Sequence, residues 1–129
     1  LQDAWISGFT DGEGCFNISY IITKKRFYIR YLLSQKQDLR EFIEIFGVGS
    51  IEYNKSNQCY TFVIKDMETK EKDQNMVIVF KYFKEFPLKT SKLNSYKLFE
   101  YLAGQLWDKK TLTEQKKAGI KTLIKLINE

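Results

Sequence analysis

The chain contains no histidine. This absence excludes chemistry that depends on an imidazole, including serine-type catalytic triads, zinc-water hydrolases and nucleases whose metal is bound by histidine. Any hydrolytic reaction would have to rest on carboxylates, lysines and a hard, oxygen-preferring cation such as Mg²⁺.

Cysteine and long apolar runs are also scarce. Cys15 and Cys59 lie far apart and form neither a disulfide framework nor a CxxC metal pair. No apolar run approaches the roughly 20 residues that a membrane-spanning helix needs, so we expect a soluble protein. Because 43% of the 129 residues are hydrophobic, we expect one packed domain over residues 1–129.

Positive charge exceeds negative charge. The chain has 21 lysines and arginines against 16 aspartates and glutamates, which gives a formal net charge of +5. This balance favours a polyanionic partner such as nucleic acid, although many small basic proteins bind nothing anionic.

The hydrophobic pattern predicts two β-hairpins after an N-terminal helix. Residues 3–12 have helical spacing, and large apolar residues then alternate with polar ones from Cys15 to Leu33. A short helix ended by Gly47 leads to a second hairpin with strands at 49–53 and 58–64.

Three further helices complete the predicted order. After a charged loop over residues 66–75, one helix must stop before Pro87 and another begins near Ser91. Residues 111–114 resemble a capping box that opens the last helix. The order αββαββααα predicts an α+β fold with a four-stranded antiparallel sheet backed by helices.

Polar and basic side chains recur along one face of the predicted sheet. Arginine, asparagine and glutamine read base edges in the DNA major groove, and lysines bind phosphates, so this face has the chemistry for DNA. Polarity alone favours an ordinary solvated face. The predicted DNA contacts are Asn17, Ser19, Ile21, Thr23, Lys24, Lys25, Arg26, Tyr28, Arg30, Ser50, Glu52, Asn54, Gln58 and Tyr60.

The end of the first helix carries two carboxylates among glycines. Asp11 and Glu13 stand in Asp-Gly-Glu-Gly, where carboxylates could hold Mg²⁺, although such stretches are also common at caps and turns. Ala4, Gly8 and Gly12 recur at every fourth position, and small residues at this spacing let two backbones approach closely.

A wider resemblance favours the metal-binding interpretation. Residues 6–14, ISGFTDGEG, resemble the nine-residue signature of the LAGLIDADG homing endonucleases. The segments CFNISY, LSQKQDL, FGVGSI, FKEFPLKTSK and the closing LTEQ helix also resemble this family, so the resemblance covers nearly the whole chain.

The resemblance implies catalytic roles for individual residues. Glu13, at the eighth signature position, would be the metal-binding catalytic carboxylate, and the carbonyl of Gly12 would reach the same metal. Gln35 would orient the water shell. Lys92 would lie beside the scissile phosphate, with Lys89 as the weaker candidate.

The resemblance also implies pairing, because the family builds its active site between two signature helices and this chain has one. The implied interface contains Ala4, Ser7, Gly8, Asp11 and Gly12, where Asp11 mainly finishes the helix. The partner would be a second copy or a second LAGLIDADG half, and a homodimer would favour a near-palindromic site.

The implied function is site-specific, Mg²⁺-dependent cleavage of double-stranded DNA by the dimer, one strand per active site, with Ca²⁺ or Mn²⁺ as substitute ions. The composition, rich in Lys, Ile, Tyr and Phe, indicates an AT-rich genome, which fits a mitochondrion, a chloroplast or a bacterium, and the resemblance favours a mitochondrion or chloroplast over a bacterial cytoplasm. The alternative is a protein of the same fold that does not cleave, either an RNA maturase or a DNA-binding regulator.

Overall fold

A computed structural model describes residues 4–68 and 74–127. Within these residues, loops connect nine helices and strands and one short 3₁₀ turn. Their order confirms the predicted αββαββααα arrangement. The elements are α1 (Trp5–Glu13), β1 (Gly14–Ile21), β2 (Arg26–Gln35), α2 (Glu41–Phe46), β3 (Ser50–Asn54), β4 (Cys59–Met67), α3 (Met76–Glu85), α4 (Lys92–Trp107), α5 (Glu114–Leu123) and a 3₁₀ turn (Ile124–Leu126).

The four strands form one antiparallel sheet in the order β1-β2-β4-β3. Gly14 pairs with Leu33 at one end of the β1–β2 ladder, and Gln35 pairs with Tyr60 at the same end of the β2–β4 ladder. The exit of α1, the end of β2 and the start of β4 therefore meet at one corner of the sheet.

One face of the sheet is the floor of the core. Phe16, Phe27, Tyr31 and Phe62 alternate along their strands with outward-facing residues and are fully buried. Helices α3 and α4 cover this face, and the Phe16 ring packs 5.1 Å from that of Phe99 on α4. Each such aromatic side chain contributes roughly 1.5–3 kcal/mol by leaving water.

Strand β4 is longer than predicted and ends in a buried acid. It runs to Met67, beyond the expected end at residue 64, and Asp66 is 2% exposed. The Asp66 carboxylate accepts the backbone N–H groups of Asn75 at 2.9 Å and Met76 at 2.7 Å, so it satisfies donors at the start of α3. Part of the predicted loop, residues 69–73, lies outside the described residues.

The last helix begins differently from the predicted capping box. Its N-cap is Thr113, whose hydroxyl accepts the N–H of Lys116 at 3.1 Å, so Glu114 is the first helical residue rather than the third. Buried Glu68 lies 3.7 Å from the ammonium of Lys117 and accepts the N–H of Phe27 at 2.9 Å, which joins α5 to the sheet.

The helices in the described part of the chain lack the length and apolar character needed to cross a bilayer.

Candidate active site and nucleic-acid interface

The exit of α1 is held by a close contact with its own last turn. A Cβ atom at Gly14 would lie 2.5 Å from the Thr10 methyl group and 2.8 Å from the Thr10 carbonyl oxygen. Thr10 is fully buried, and its hydroxyl lies 2.7 Å from that of Tyr31. Glycine is therefore required where the chain turns from helix to strand, for steric reasons rather than for metal binding.

Asp11 is turned toward its own chain. Its carboxylate accepts hydrogen bonds from the backbone N–H of Lys89 at 3.1 Å and from both the N–H and the hydroxyl of Thr90. Partial burial raises the pKa of Asp11, but the hydrogen bonds from Thr90 and Lys89 outweigh it and hold the pKa below its usual value. Asp11 thus orders the turn before α4, which agrees with a structural role.

Lys92 lies against the same helix end. Its ammonium donates to the carbonyl oxygens of Thr10 at 3.1 Å and Gly14 at 2.6 Å. The Thr10 carbonyl also accepts the backbone N–H of Gly14, so Lys92 adds a second hydrogen bond to it, and its positive charge stabilises the negative end of the helix dipole. Since an ammonium has three N–H donors, one remains for another acceptor.

Glu13 and Gln35 line one shallow depression at the sheet corner. The Glu13 side chain is exposed and forms no hydrogen bond or ion pair with the described residues, in contrast to Asp11. The sequence reasoning did not find the other residues that line this depression. They are Ser34, Lys36, Gln37 and Cys59.

Lys36 and Cys59 differ in whether the sequence indicates that they lie beside Gln35. Lys36 directly follows Gln35 in sequence, so its place beside the site could have been inferred from that of its neighbour. Cys59 reaches the depression because Gln35 pairs with Tyr60 in the β2–β4 ladder, and strand periodicity does not reveal that register.

The sheet face opposite the core is open and polar. Asn17 and Arg30 are register partners, and Arg30 Nη2 donates to Asn17 Oδ1 at 2.9 Å. The hydroxyls of Ser34 and Thr61 lie 3.0 Å apart across β2 and β4. By strand alternation this face also carries the predicted contacts Ser19, Ile21, Arg26, Tyr28, Ser50, Glu52 and Asn54.

The remaining predicted DNA contacts lie at the margins or elsewhere. Thr23, Lys24 and Lys25 form the turn between β1 and β2, and the Lys24 ammonium lies 5.7 Å from the centroid of the Tyr28 ring. Gln58 is in the turn between β3 and β4.

The prediction for Tyr60 is wrong in orientation. Tyr60 shares its side of β4 with the buried residues Phe62 and Ile64, packs partly against the core, and its ring lies 4.8 Å from that of Tyr53. Because Tyr60, Phe62 and Ile64 alternate along the predicted strand 58–64, the strand period itself places Tyr60 on the core side, against its assignment to the open face.

A strip of small residues on α1 faces away from the core. Ala4, Gly8 and Gly12 are exposed, and a Cβ atom added to either glycine would meet no atom within 4 Å. Ser7 does not belong to this strip, contrary to prediction. It is 4% exposed, and its hydroxyl donates to the carbonyl of Phe86 within the same chain.

These features define a class of protein: an α+β fold in which one helix, with a small-residue face exposed, presents a carboxylate at the corner of an open, polar sheet. The profile of the LAGLIDADG endonuclease family matches residues 6–103, and the chain belongs to that family.

Similar proteins are known from fungi. A probable intron-encoded endonuclease 4 of Neurospora crassa is 35% identical over 103 residues, which cover 74% of this chain and 17% of that protein. A probable intron-encoded endonuclease 2 of the same organism is 27% identical over 128 residues, covering 96% of this chain and 26% of that protein. The chain thus spans about a quarter or less of these two relatives.

Solved structures share the fold. The homing endonuclease I-TnaI superposes with a TM-score of 0.81 at 25% identity, covering 100% of this chain and 89% of the other. The homing endonuclease I-GzeII in complex with its DNA target gives 0.77 at 26% identity, covering 97% of this chain and 43% of the other.

Proposed function

We propose that this chain is one half of a site-specific, double-strand DNA endonuclease, cutting one strand with each active site. The observation that carries the proposal is the position of Glu13, an exposed carboxylate at the end of α1 that lines the same depression as Gln35. The relatives named as endonucleases, and the related structure bound to its DNA target, support the same reaction.

A divalent cation fits this corner only if further ligands arrive from outside the chain. The donors here, the Glu13 carboxylate and the Gly12 carbonyl, are the hard oxygen ligands that Mg²⁺ prefers. Among the described residues no group of three or more acids, histidines or cysteines could hold a metal ion. Oxygen atoms from DNA phosphates and a second Glu13 would complete the set, and Ca²⁺ or Mn²⁺ could take the same ligands.

The protein residues then have separate tasks. When bound, the cation supplies activation of water and stabilisation of the leaving oxygen. Gln35 orients water through its amide at the rim of the depression. Lys92 fixes the end of α1 through two N–H donors, and its third donor binds a phosphate oxygen.

The exposed strip on α1 supplies the surface for pairing. With no side chains beyond Cβ at Ala4, Gly8 and Gly12, a second helix can approach closely enough to bring two Glu13 carboxylates together. One related structure has a chain of similar length, and another has a chain about twice as long. These lengths are consistent with either a homodimer of this chain or a longer protein that contains two such halves. A homodimer would act on a long, near-palindromic target.

The genetic setting follows from the relatives. The matching fungal proteins are named as intron-encoded, and one is named for a cox1 intron of Schizosaccharomyces pombe. We infer an intron-encoded origin in an organelle, and a mitochondrion fits best.

Cleavage by a Glu13→Gln variant tests the proposal. A target is first selected by binding from a randomised double-stranded DNA library, then cloned into a supercoiled plasmid. With Mg²⁺ we expect cutting by the wild type and at least a roughly 100-fold slower reaction by Glu13→Gln, while DNA binding persists. Glu44→Gln, which removes an exposed acid on α2, is the matched control and should cut normally.

Two results would contradict the proposal. If Glu13→Gln cuts as fast as the wild type, the site lies elsewhere. If the wild type binds its selected target but never cuts it with Mg²⁺ or Mn²⁺, the protein is a non-cleaving regulator or, should it promote intron splicing instead, a maturase.

A further inference from the structure

A concavity of about 520 Å³ on the open sheet face gathers positive charge away from the cleavage corner. Lys24, Arg30 and Lys65 line it. Among the described residues that line it, the one acidic residue is Asp66. Both carboxylate oxygens of Asp66 already accept hydrogen bonds from backbone N–H groups at the start of α3. The concavity therefore has cations without an available counter-charge.

Two of these cations face each other across neighbouring strands. Arg30 and Lys65 are register partners in the β2–β4 ladder. Like charges directly opposite in a sheet destabilise it, and Arg30 forms no salt bridge with the described residues. An electron-rich ligand in the concavity would relieve this repulsion.

The Arg30 guanidinium is already fixed in orientation. Its Nη2 donates to Asn17 Oδ1 at 2.9 Å, and its Nε is buried without an acceptor among the described residues. A guanidinium has five N–H donors, so three on the terminal nitrogens remain for a ligand. The entropy cost of ordering a long side chain is thus largely met before binding.

The place of Arg30 favours a base over a phosphate. Arg30 lies on β2, an inner strand of the sheet, whereas Lys24 and Lys25 lie in the turn between β1 and β2, at the margin of the sheet. Strands are about 4.8 Å apart, so four of them span about 14 Å, close to the roughly 12 Å width of the DNA major groove. Inner strands lie over the floor of the groove, where base edges are exposed.

We propose that Arg30, positioned by Asn17, reads a guanine in the major groove of each half-site; this inference rests on the DNA-binding function proposed above. Guanine presents two acceptors there, N7 and O6, which match two parallel N–H donors. Adenine presents one acceptor, N7, and one donor, the N6 amino group, so one N–H of Arg30 would face the N–H of that amino group. Asn17 is a positioning residue, since its amide holds the guanidinium plane.

The test compares sequence preferences after selection from a randomised double-stranded DNA library. We expect the wild type to prefer guanine at one position of each half-site by roughly 5- to 150-fold. Arg30→Lys keeps the charge but cannot present two parallel donors, so this preference should be lost while other positions and the salt dependence stay unchanged. Lys65→Ala is the matched control and should weaken all sequences alike, keep the guanine and lower the salt slope by about 1.

Two further variants separate positioning from folding. Asn17→Ala should reduce the guanine preference only in part and leave thermal stability near that of the wild type. Arg30→Gln should shift the preference toward adenine, which glutamine binds with two hydrogen bonds, so a result remains even if Arg30→Lys folds poorly.

The outcomes distinguish this inference from the proposed function. Sequence-specific binding with guanine preferences that Arg30→Lys leaves intact would overturn the role of Arg30 alone. If the wild type selects no sequence over random DNA, the proposed function itself fails and this inference falls with it.

Discussion

The three glycines of the signature segment, Gly8 and Gly12 within α1 and Gly14 at the start of β1, should not respond alike to substitution by alanine. At Gly14 a Cβ atom would lie 2.5 Å from the Thr10 methyl and 2.8 Å from the Thr10 carbonyl oxygen, both far inside van der Waals contact. At Gly8 and Gly12 it would meet nothing within 4 Å. Gly14→Ala is therefore expected to destabilise the chain, and Gly8→Ala to stabilise it.

The magnitudes follow from what can move. Thr10 is fully buried, and rotating its methyl group away would disturb the 2.7 Å hydrogen bond with Tyr31. Overpacking of this kind costs about 1–3 kcal/mol in the free energy of unfolding. Alanine within a helix is favoured over glycine by up to about 1 kcal/mol. Gly8→Ala should therefore raise the unfolding free energy of the unpaired chain by up to about 1 kcal/mol.

Pairing should follow the opposite pattern from stability. If a second helix packs on the strip, a methyl group at Gly8 pushes the two backbones apart, so Gly8→Ala should weaken dimerisation and slow cleavage while the single chain becomes more stable. Gly14→Ala should reduce cleavage only through lost folding. Chemical denaturation at two protein concentrations separates the two effects, and sedimentation gives the oligomeric state.

Two results would refute this reasoning. A Gly14→Ala variant as stable as the wild type would show that the tight contact with Thr10 does not restrain the fold. A Gly8→Leu variant that still dimerises and cuts normally would show that the strip is not a pairing surface.

Three further predictions concern charge. Since burial raises the pKa of Asp11 but hydrogen bonds from Thr90 outweigh it, the Asp11 carboxylate stabilises the fold above its ordinary pKa of 3.8 and loses this effect as the pH falls through the lowered value. The difference in unfolding free energy between wild type and Asp11→Asn should thus be largest near neutral pH and shrink in acid; a pH-independent difference would contradict it. Glu68→Ala leaves the buried N–H of Phe27 unpaired and should cost about 1–3 kcal/mol by urea denaturation, whereas Glu114→Ala, with a side chain 95% exposed, should cost little. DNA affinity should fall steeply with salt concentration, since phosphate contacts release counterions, and a flat titration would argue against the basic margin.

The order of the elements could be predicted because it depends on local periodicity. Apolar residues alternate in the two hairpins and recur at helical spacing elsewhere. Helix α3 ends before Pro87 as predicted, since its C-cap is Phe86, the residue that precedes the proline. The errors fall where local signals are weak. The sequence pattern predicts the helix cap two residues too early because Thr111 and Thr113 are both acceptable caps, and only the hydrogen bond from the N–H of Lys116 to Thr113 distinguishes them.

The site could be predicted less well because it joins distant segments. The partners of Asp11 are 78 and 79 residues away in sequence, and those of Lys92 are 82 and 78 residues away. The misplacement of Ser7 has the same origin. The spacing of α1 places Ser7 beside the exposed strip, and only the arrival of Tyr82 and Phe86 buries it.

Helix geometry explains why two carboxylates so close in sequence have different surroundings. Residues two apart on an α-helix are separated by about 200° around its axis, so Asp11 and Glu13 face opposite sides. Asp11 meets the turn before α4, where N–H donors engage it, and Glu13 is left in solvent at the sheet corner. One chain therefore contributes one unengaged carboxylate from its signature helix. Binding a divalent cation tightly requires more negative charge than that, so the proposed chemistry depends on pairing across the glycine strip as much as on Glu13 itself.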